Sequence, residues 1–116
     1  MTGIVFFKTK MLERVVQFYV EKVGMTVWLE QKDCIILQFD NMLVGFCQRD
    51  TCETDGMISF DFDMRESVDV MYEQFKDLAV APPSVYQKYR IYQFFAKDPE
   101  GRNIEFQSFL DTMKPV

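Results

Sequence analysis

The sequence predicts an α+β fold made of two β-α-β-β-β modules, at 1–50 and 55–116, within a single domain spanning residues 1–116. Three observations carry that prediction. Strand-type and helix-type periodicities follow one another in the same order twice along the chain. Identities recur at one spacing: Phe7 with Phe60, Met11 with Met64, Glu13 with Glu66, Val15 with Val68 and Tyr19 with Tyr72. A polar stretch from Arg49 to Asp55 parts the two halves. The identities fall on common residue types, so their weight comes from coinciding with the duplicated order of elements.

In the first half, Ile4 to Lys8 is short, β-branched and aromatic, as a strand requires. Met11 to Val23 then places Leu12, Val15, Val16, Tyr19 and Val23 at helical spacing, and Gly24 supplies the stop. Three strand-type runs follow, Thr26 to Glu30, Cys34 to Phe39 and Met42 to Gln48, parted by the turn sequences Gln31-Lys32-Asp33 and Asp40-Asn41.

The second half repeats this plan. Met57 to Asp63 is a strand, and Met64 to Ala79 a helix with Met64, Val68, Met71, Phe75 and Leu78 on one face. Pro82-Pro83 forbids its continuation. Strands are expected at Ser84 to Gln87, Ile91 to Lys97 and Asn103 to Phe109, joined by Lys88-Tyr89-Arg90 and by Asp98-Pro99-Glu100-Gly101.

Composition narrows the function classes. A chain of 116 residues that is 48% hydrophobic can bury one core. Its net charge of −5 repels nucleic acid and anionic membrane alike, so neither is expected as a partner. No stretch approaches membrane-spanning length, and the apolar run near the N-terminus lacks the flanks of an export signal. Cys34, Cys47 and Cys52 are odd in number and form no C-x-x-C pair, which reads as reduced thiols in a cytoplasmic protein. There is no histidine to activate a cysteine nucleophile, so Cys34 and Cys47 read as small buried apolar residues. The five glycines are scattered and build no phosphate loop.

Two β-α-β-β-β modules, Phe18-Tyr19 followed by Gly24-Met25, and Asp98-Pro99-Glu100-Gly101 with Ile104-Glu105-Phe106 together resemble the vicinal oxygen chelate superfamily. That group contains glyoxalase I, the bleomycin-resistance proteins and the extradiol dioxygenases. The resemblance covers nearly the whole chain. It implies curved mixed sheets pairing around a cleft with helices outside, and a homodimer. In metal-dependent members the cleft holds a divalent cation through the first and last strands of each module. Carried onto this chain, those positions are Ile4, Met57, Val44 or Gly45, and Glu105. Only Glu105 can ligate such an ion, whereas a catalytic metal ordinarily takes at least three protein ligands, so no metal and no cofactor is expected.

Strand alternation extends the cleft face from Glu105 to Asn103 and Gln107, with Ile104 and Phe106 beneath the helices. It turns Met57, Ser59, Asp61 and Asp63 to the same side, and in the opening strand Ile4, Phe6 and Lys8, leaving Val5 and Phe7 to the core. Trp28, Phe46, Tyr92 and Phe94 lie on strands from which a ring could stack on a planar or cationic ligand. The ligand-binding residues expected are Glu105, Asp61, Phe6, Trp28, Ser59, Tyr92, Phe94 and Gln107. A bland reading stands beside each: Asp61 and Asp63 solvated at a strand end, the aromatics as core, and Lys88-Tyr89-Arg90 as a hairpin tip. No catalytic residue is identified, although Glu105 could serve as a general base.

The function expected is metal-free binding of a small, cationic or aromatic molecule in an acidic cleft, without catalysis. One alternative is a lyase, isomerase or dioxygenase of the same superfamily, its metal site rebuilt from Glu105 with Asp61, Gln93 or Gln107. Another is a structural or regulatory dimer whose cleft is filled by Phe and Met side chains.

Overall fold

The computed structural model of the chain describes residues 2–116. They form two compact units, one comprising residues 2–55 with Asp98–Gly101, the other Gly56–Lys97 with Arg102–Val116. The fold is α+β, with two mixed four-stranded sheets and two helices.

In the first unit, β1 (Ile4–Thr9) leads into α1 (Leu12–Phe18), which continues as a wider π-helical turn over Tyr19–Val23. Then come β2 (Thr26–Glu30), β3 (Cys34–Phe39) and β4 (Met42–Gln48). The sheet order is β1-β4-β3-β2, with β1 parallel to β4 and the other pairs antiparallel. The helix stops at Gly24, whose φ of +94° lies in the left-handed region that glycine enters without strain. There the Tyr19 carbonyl accepts from both Gly24 N at 3.0 Å and Met25 N at 2.9 Å. Val15, Tyr19 and Val23 are the buried stripe of this helix, and α1 packs on β3 and β4. The Phe46 ring is sandwiched there, stacked on Tyr19 at 5.1 Å and on Phe7 at 5.9 Å.

The second unit repeats the plan with β5 (Met57–Asp61), α2 (Arg65–Phe75), β6 (Ser84–Tyr86), β7 (Ile91–Lys97) and β8 (Asn103–Phe109). Its order is β5-β8-β7-β6, again with one parallel pair, β5 with β8. Phe75 of α2 packs on Phe94 and Phe106, and Phe106 stacks on Phe60 at 5.1 Å. Val68, Phe60, Ile104 and Phe106 complete this core.

The Asp98–Gly101 turn is a structural clamp of the first unit. Asp98 accepts from Tyr19 Oη at 2.8 Å and, through its other oxygen, from Glu100 N at 2.9 Å. Glu100 accepts from Thr9 Oγ1 at 2.7 Å and from Lys10 N at 2.9 Å. Asp98 and Thr9 are buried, so these bonds form where water competes least. Gly101, with φ +92°, releases the chain into β8.

Several expectations are corrected. The second helix ends at Phe75 rather than Ala79, because Leu78 N and Ala79 N both turn back to the Phe75 carbonyl and Val80 N donates to Phe95 O on β7. Met64 is the extended residue before the helix, and it and Leu78 are exposed instead of packed. Val5 is exposed, on a strand at the sheet edge. Cys34 and Cys47 are not separate thiols: they face each other across β3 and β4 and are joined by a disulfide, leaving Cys52 as the exposed free cysteine.

Candidate functional site on the second sheet

Each sheet has one face packed by its helix and one without a helix. In the second unit the helix-free face carries a cluster of polar side chains. The β5–β8 register sets Ser59 beside Glu105 and Asp61 beside Gln107. The β7–β8 register sets Phe95 on the other flank of Glu105 and Gln93 on the other flank of Gln107. Because alternate residues share a face, these six side chains form two adjoining rows across three strands.

Glu105 is the focus of the face. It is only 5% exposed, and its Oε1 accepts from Ser59 Oγ at 2.6 Å. Among the described residues no lysine or arginine pairs with it. Gln107, also buried, donates from Nε2 to Asp61 Oδ1 at 3.3 Å. Burial pushes the Asp61 carboxyl above its ordinary value of 3.8; the Gln107 amide opposes this, and the nearby Asp63 charge adds to it. Phe95, 37% exposed, offers an aromatic surface directly beside the buried carboxylate.

Four of the residues named from sequence, Glu105, Ser59, Asp61 and Gln107, therefore come together. Tyr92 and Phe94 do not join them. Both point to the opposite face, where Tyr92 Oη donates to Asp69 of α2 at 2.5 Å beneath the Arg65 guanidinium, and Phe94 packs on Tyr72 and Phe75. The Asp69 carboxylate, followed by burial, raises the Tyr92 phenol above its ordinary value, in keeping with a core position. Phe46 is likewise a core ring of the first unit.

Phe6 and Trp28 belong to the first unit. Phe6 is paired with Gly45, where any side chain would collide with its ring. Trp28 is the extra residue of a bulge between Val27 and Leu29 and is 51% exposed. Sequence reasoning missed Phe95, and it named Gln93 only for a rebuilt metal site.

No family model matches the chain, and no curated protein does. Solved structures match it over nearly its whole length. A glyoxalase/bleomycin resistance protein/dioxygenase from Nocardioides has a TM-score of 0.76 and 18% identity, over 100% of this chain and 87% of that one. One from Alicyclobacillus acidocaldarius gives 0.79 and 19%, over 96% and 92%. A lactoylglutathione lyase from Agrobacterium tumefaciens gives 0.76 and 14%, over 93% and 92%. The chain has the glyoxalase/bleomycin resistance/dioxygenase fold. Similarity at this level establishes the fold, and the chemistry has to be argued from the side chains.

The positions that the resemblance carries onto this chain do not fit a metal. Ile4, Met57 and Val44 are apolar, Gly45 has no side chain, and Glu105 alone of them is a donor. Among the described residues no three His, Cys, Asp or Glu side chains are grouped so as to hold an ion. Among those residues, too, no helix is long and apolar enough to cross a membrane.

Proposed function

We propose that this glyoxalase-fold protein binds a small cationic aromatic molecule on the helix-free face of its second sheet, without metal and without catalysis. It does so as a cytoplasmic homodimer. The observation that carries the reading is Glu105, a carboxylate almost withdrawn from water that accepts from the Ser59 hydroxyl and, among the described residues, pairs with no lysine or arginine. A buried carboxylate without a cation is costly, and a ligand bringing a positive charge offsets that cost. The Phe95 ring beside it gives such a ligand a stacking surface, and Asp61 and Gln107 in the next row offer an acceptor and an amide.

Thermal unfolding of the chelator-treated protein with a panel of cationic aromatic compounds tests this. A ligand present at about a hundred times its Kd adds about 2.7 kcal/mol of stability, enough to move Tm by several degrees. No movement with any compound at millimolar concentration contradicts the proposal. Stabilisation by magnesium, manganese, iron(II), nickel or zinc that Glu105→Gln removes supports the metal-dependent alternative instead.

A further inference from the structure

Cys34 opens β3 and Cys47 sits near the end of β4, directly opposite in the ladder, with Cα atoms 4.0 Å apart. The bond between them does little that the ladder does not already do. Adjacent strands are joined by a two-residue turn and paired from Cys34–Cys47 to Phe39–Met42, so the disulfide closes a short loop that is closed without it. Beyond the pair, Gln31 N donates to Cys34 O at 2.8 Å and Gln48 N to Asp33 O at 2.8 Å. These backbone bonds hold both cysteines in place whether or not the sulfurs are joined.

A cation stands beside Cys34. The Arg49 guanidinium reaches to 3.9 Å from Cys34 Sγ. It is held there by the Asp33 carboxylate at 3.3 Å and by the Gln48 carbonyl at 2.7 Å. Lys8 on β1 lies next to Cys47 in the same row. Asp33 is the opposing charge, and its oxygen is engaged by Arg49. Cys34 is the more exposed of the two residues, half-buried at the strand start, whereas Cys47 is 9% exposed. An accessible cysteine beside a cation, with a buried partner in register, is the arrangement of an exchange-active pair.

We propose that Cys34 and Cys47 form a thiol–disulfide exchange site for low-molecular-weight thiols, entered at Cys34 and resolved by Cys47. A thiolate attacks Cys34 Sγ; a sulfur–sulfur bond to Cys34 forms as the Cys34–Cys47 bond breaks, and Cys47 leaves as thiolate. A second thiolate attacks the external sulfur of this mixed disulfide, releasing the small-molecule disulfide and the Cys34 thiolate. The protein gains two electrons from the two thiols, and their protons end on the two cysteines or in solvent. Formation of the disulfide is the reverse.

The test uses Cys52→Ser protein in glutathione buffers of graded composition, reading alkylated thiols by intact mass and the fold by circular dichroism. The expected result is no alkylatable thiol in oxidised glutathione, two in reduced glutathione with the fold unchanged, and between them a glutathione adduct that maps to Cys34. Adding Cys47→Ser should trap that adduct, and Cys34→Ser should leave Cys47 largely unmodified. Arg49→Gln should slow the reaction of reduced Cys34 with oxidised glutathione about threefold, because it removes the cation beside the attacking sulfur. A pair that opens only with denaturant, thiols that alkylate equally in both buffers, or an adduct on Cys47 would each overturn the proposal. Should a serine variant fail to fold, the first comparison decides alone, since it keeps both cysteines.

Discussion

Phe6 and Gly45 face each other in the first unit at the place where Ser59 and Glu105 face each other in the second. The two pairs occupy equivalent points of one repeated topology, an edge strand parallel to the strand beside it, on the face that carries no helix. In the first unit an aromatic ring lies against bare backbone; in the second a hydroxyl donates to a buried carboxylate at 2.6 Å. In the next row Lys8, Cys47 and Cys34 stand on the first sheet where Asp61, Gln107 and Gln93 stand on the second. The packed faces of the two units are alike, and the open faces differ. In these rows the first sheet carries no carboxylate, and the second carries Glu105 and Asp61.

The comparison can be broken most severely at the shared core. Phe46 and Phe106 are equivalent rings under the two helices, and each change to alanine should cost about 3–5 kcal/mol in chemical denaturation. Phe106 should be the costlier, since Phe60, Phe75 and Phe94 all pack on it. Equal, small losses at both sites would show that the helix-side faces are not the structural constant argued here.

A smaller effect is expected on the open face of the first unit. Gly45→Ala places a methyl group where the Phe6 ring lies, and because that ring is half-exposed and can swing, the cost should be about 1 kcal/mol, the low end for overpacking. A neutral result would mean that the ring does not rest on the backbone.

The smallest effect concerns Asp61, whose carboxyl is held above its ordinary value. The folded state then binds more protons than the unfolded one between the ordinary and raised values, so stability falls as pH rises through that window. Asp61→Asn keeps the acceptor for Gln107 and removes the charge. It should therefore melt slightly higher than the parent at neutral pH, and the gap should close below about pH 3.8, where both states are protonated. A gap that widens in acid has the wrong sign and contradicts the assignment.

Much of the fold was legible. The runs Thr26–Glu30, Cys34–Phe39, Met42–Gln48, Ile91–Lys97 and Asn103–Phe109 occur as strands at the bounds that periodicity proposes. Helix α2 was overextended because Leu78 continues the apolar spacing, whereas the backbone leaves the helix to bond Phe95. Of the site, Ser59, Asp61, Glu105 and Gln107 followed from alternation around one residue. Alternation along β7 alone does not tell which face Tyr92 and Phe94 take; its register with β8 does. The Asp98–Gly101 turn sets Lys97 opposite Asn103, and counting from there puts Phe95 beside Glu105. The cysteine pair was equally readable: the Asp40-Asn41 turn pairs Phe39 with Met42, and counting back brings Cys34 to Cys47. The Arg49 contact was not readable, since it depends on a side chain folding back past its own strand.

The most direct measurement is isothermal titration of the strongest cationic aromatic hit from the thermal panel into the parent protein and into Glu105→Gln, with Gly45→Ala as the control on the other sheet. The account predicts saturable binding to the parent and to Gly45→Ala. With Glu105→Gln, loss of the charge-assisted contact should weaken binding by about 1.5–3 kcal/mol, roughly ten- to a hundredfold in Kd. Binding that Glu105→Gln leaves unchanged would contradict it.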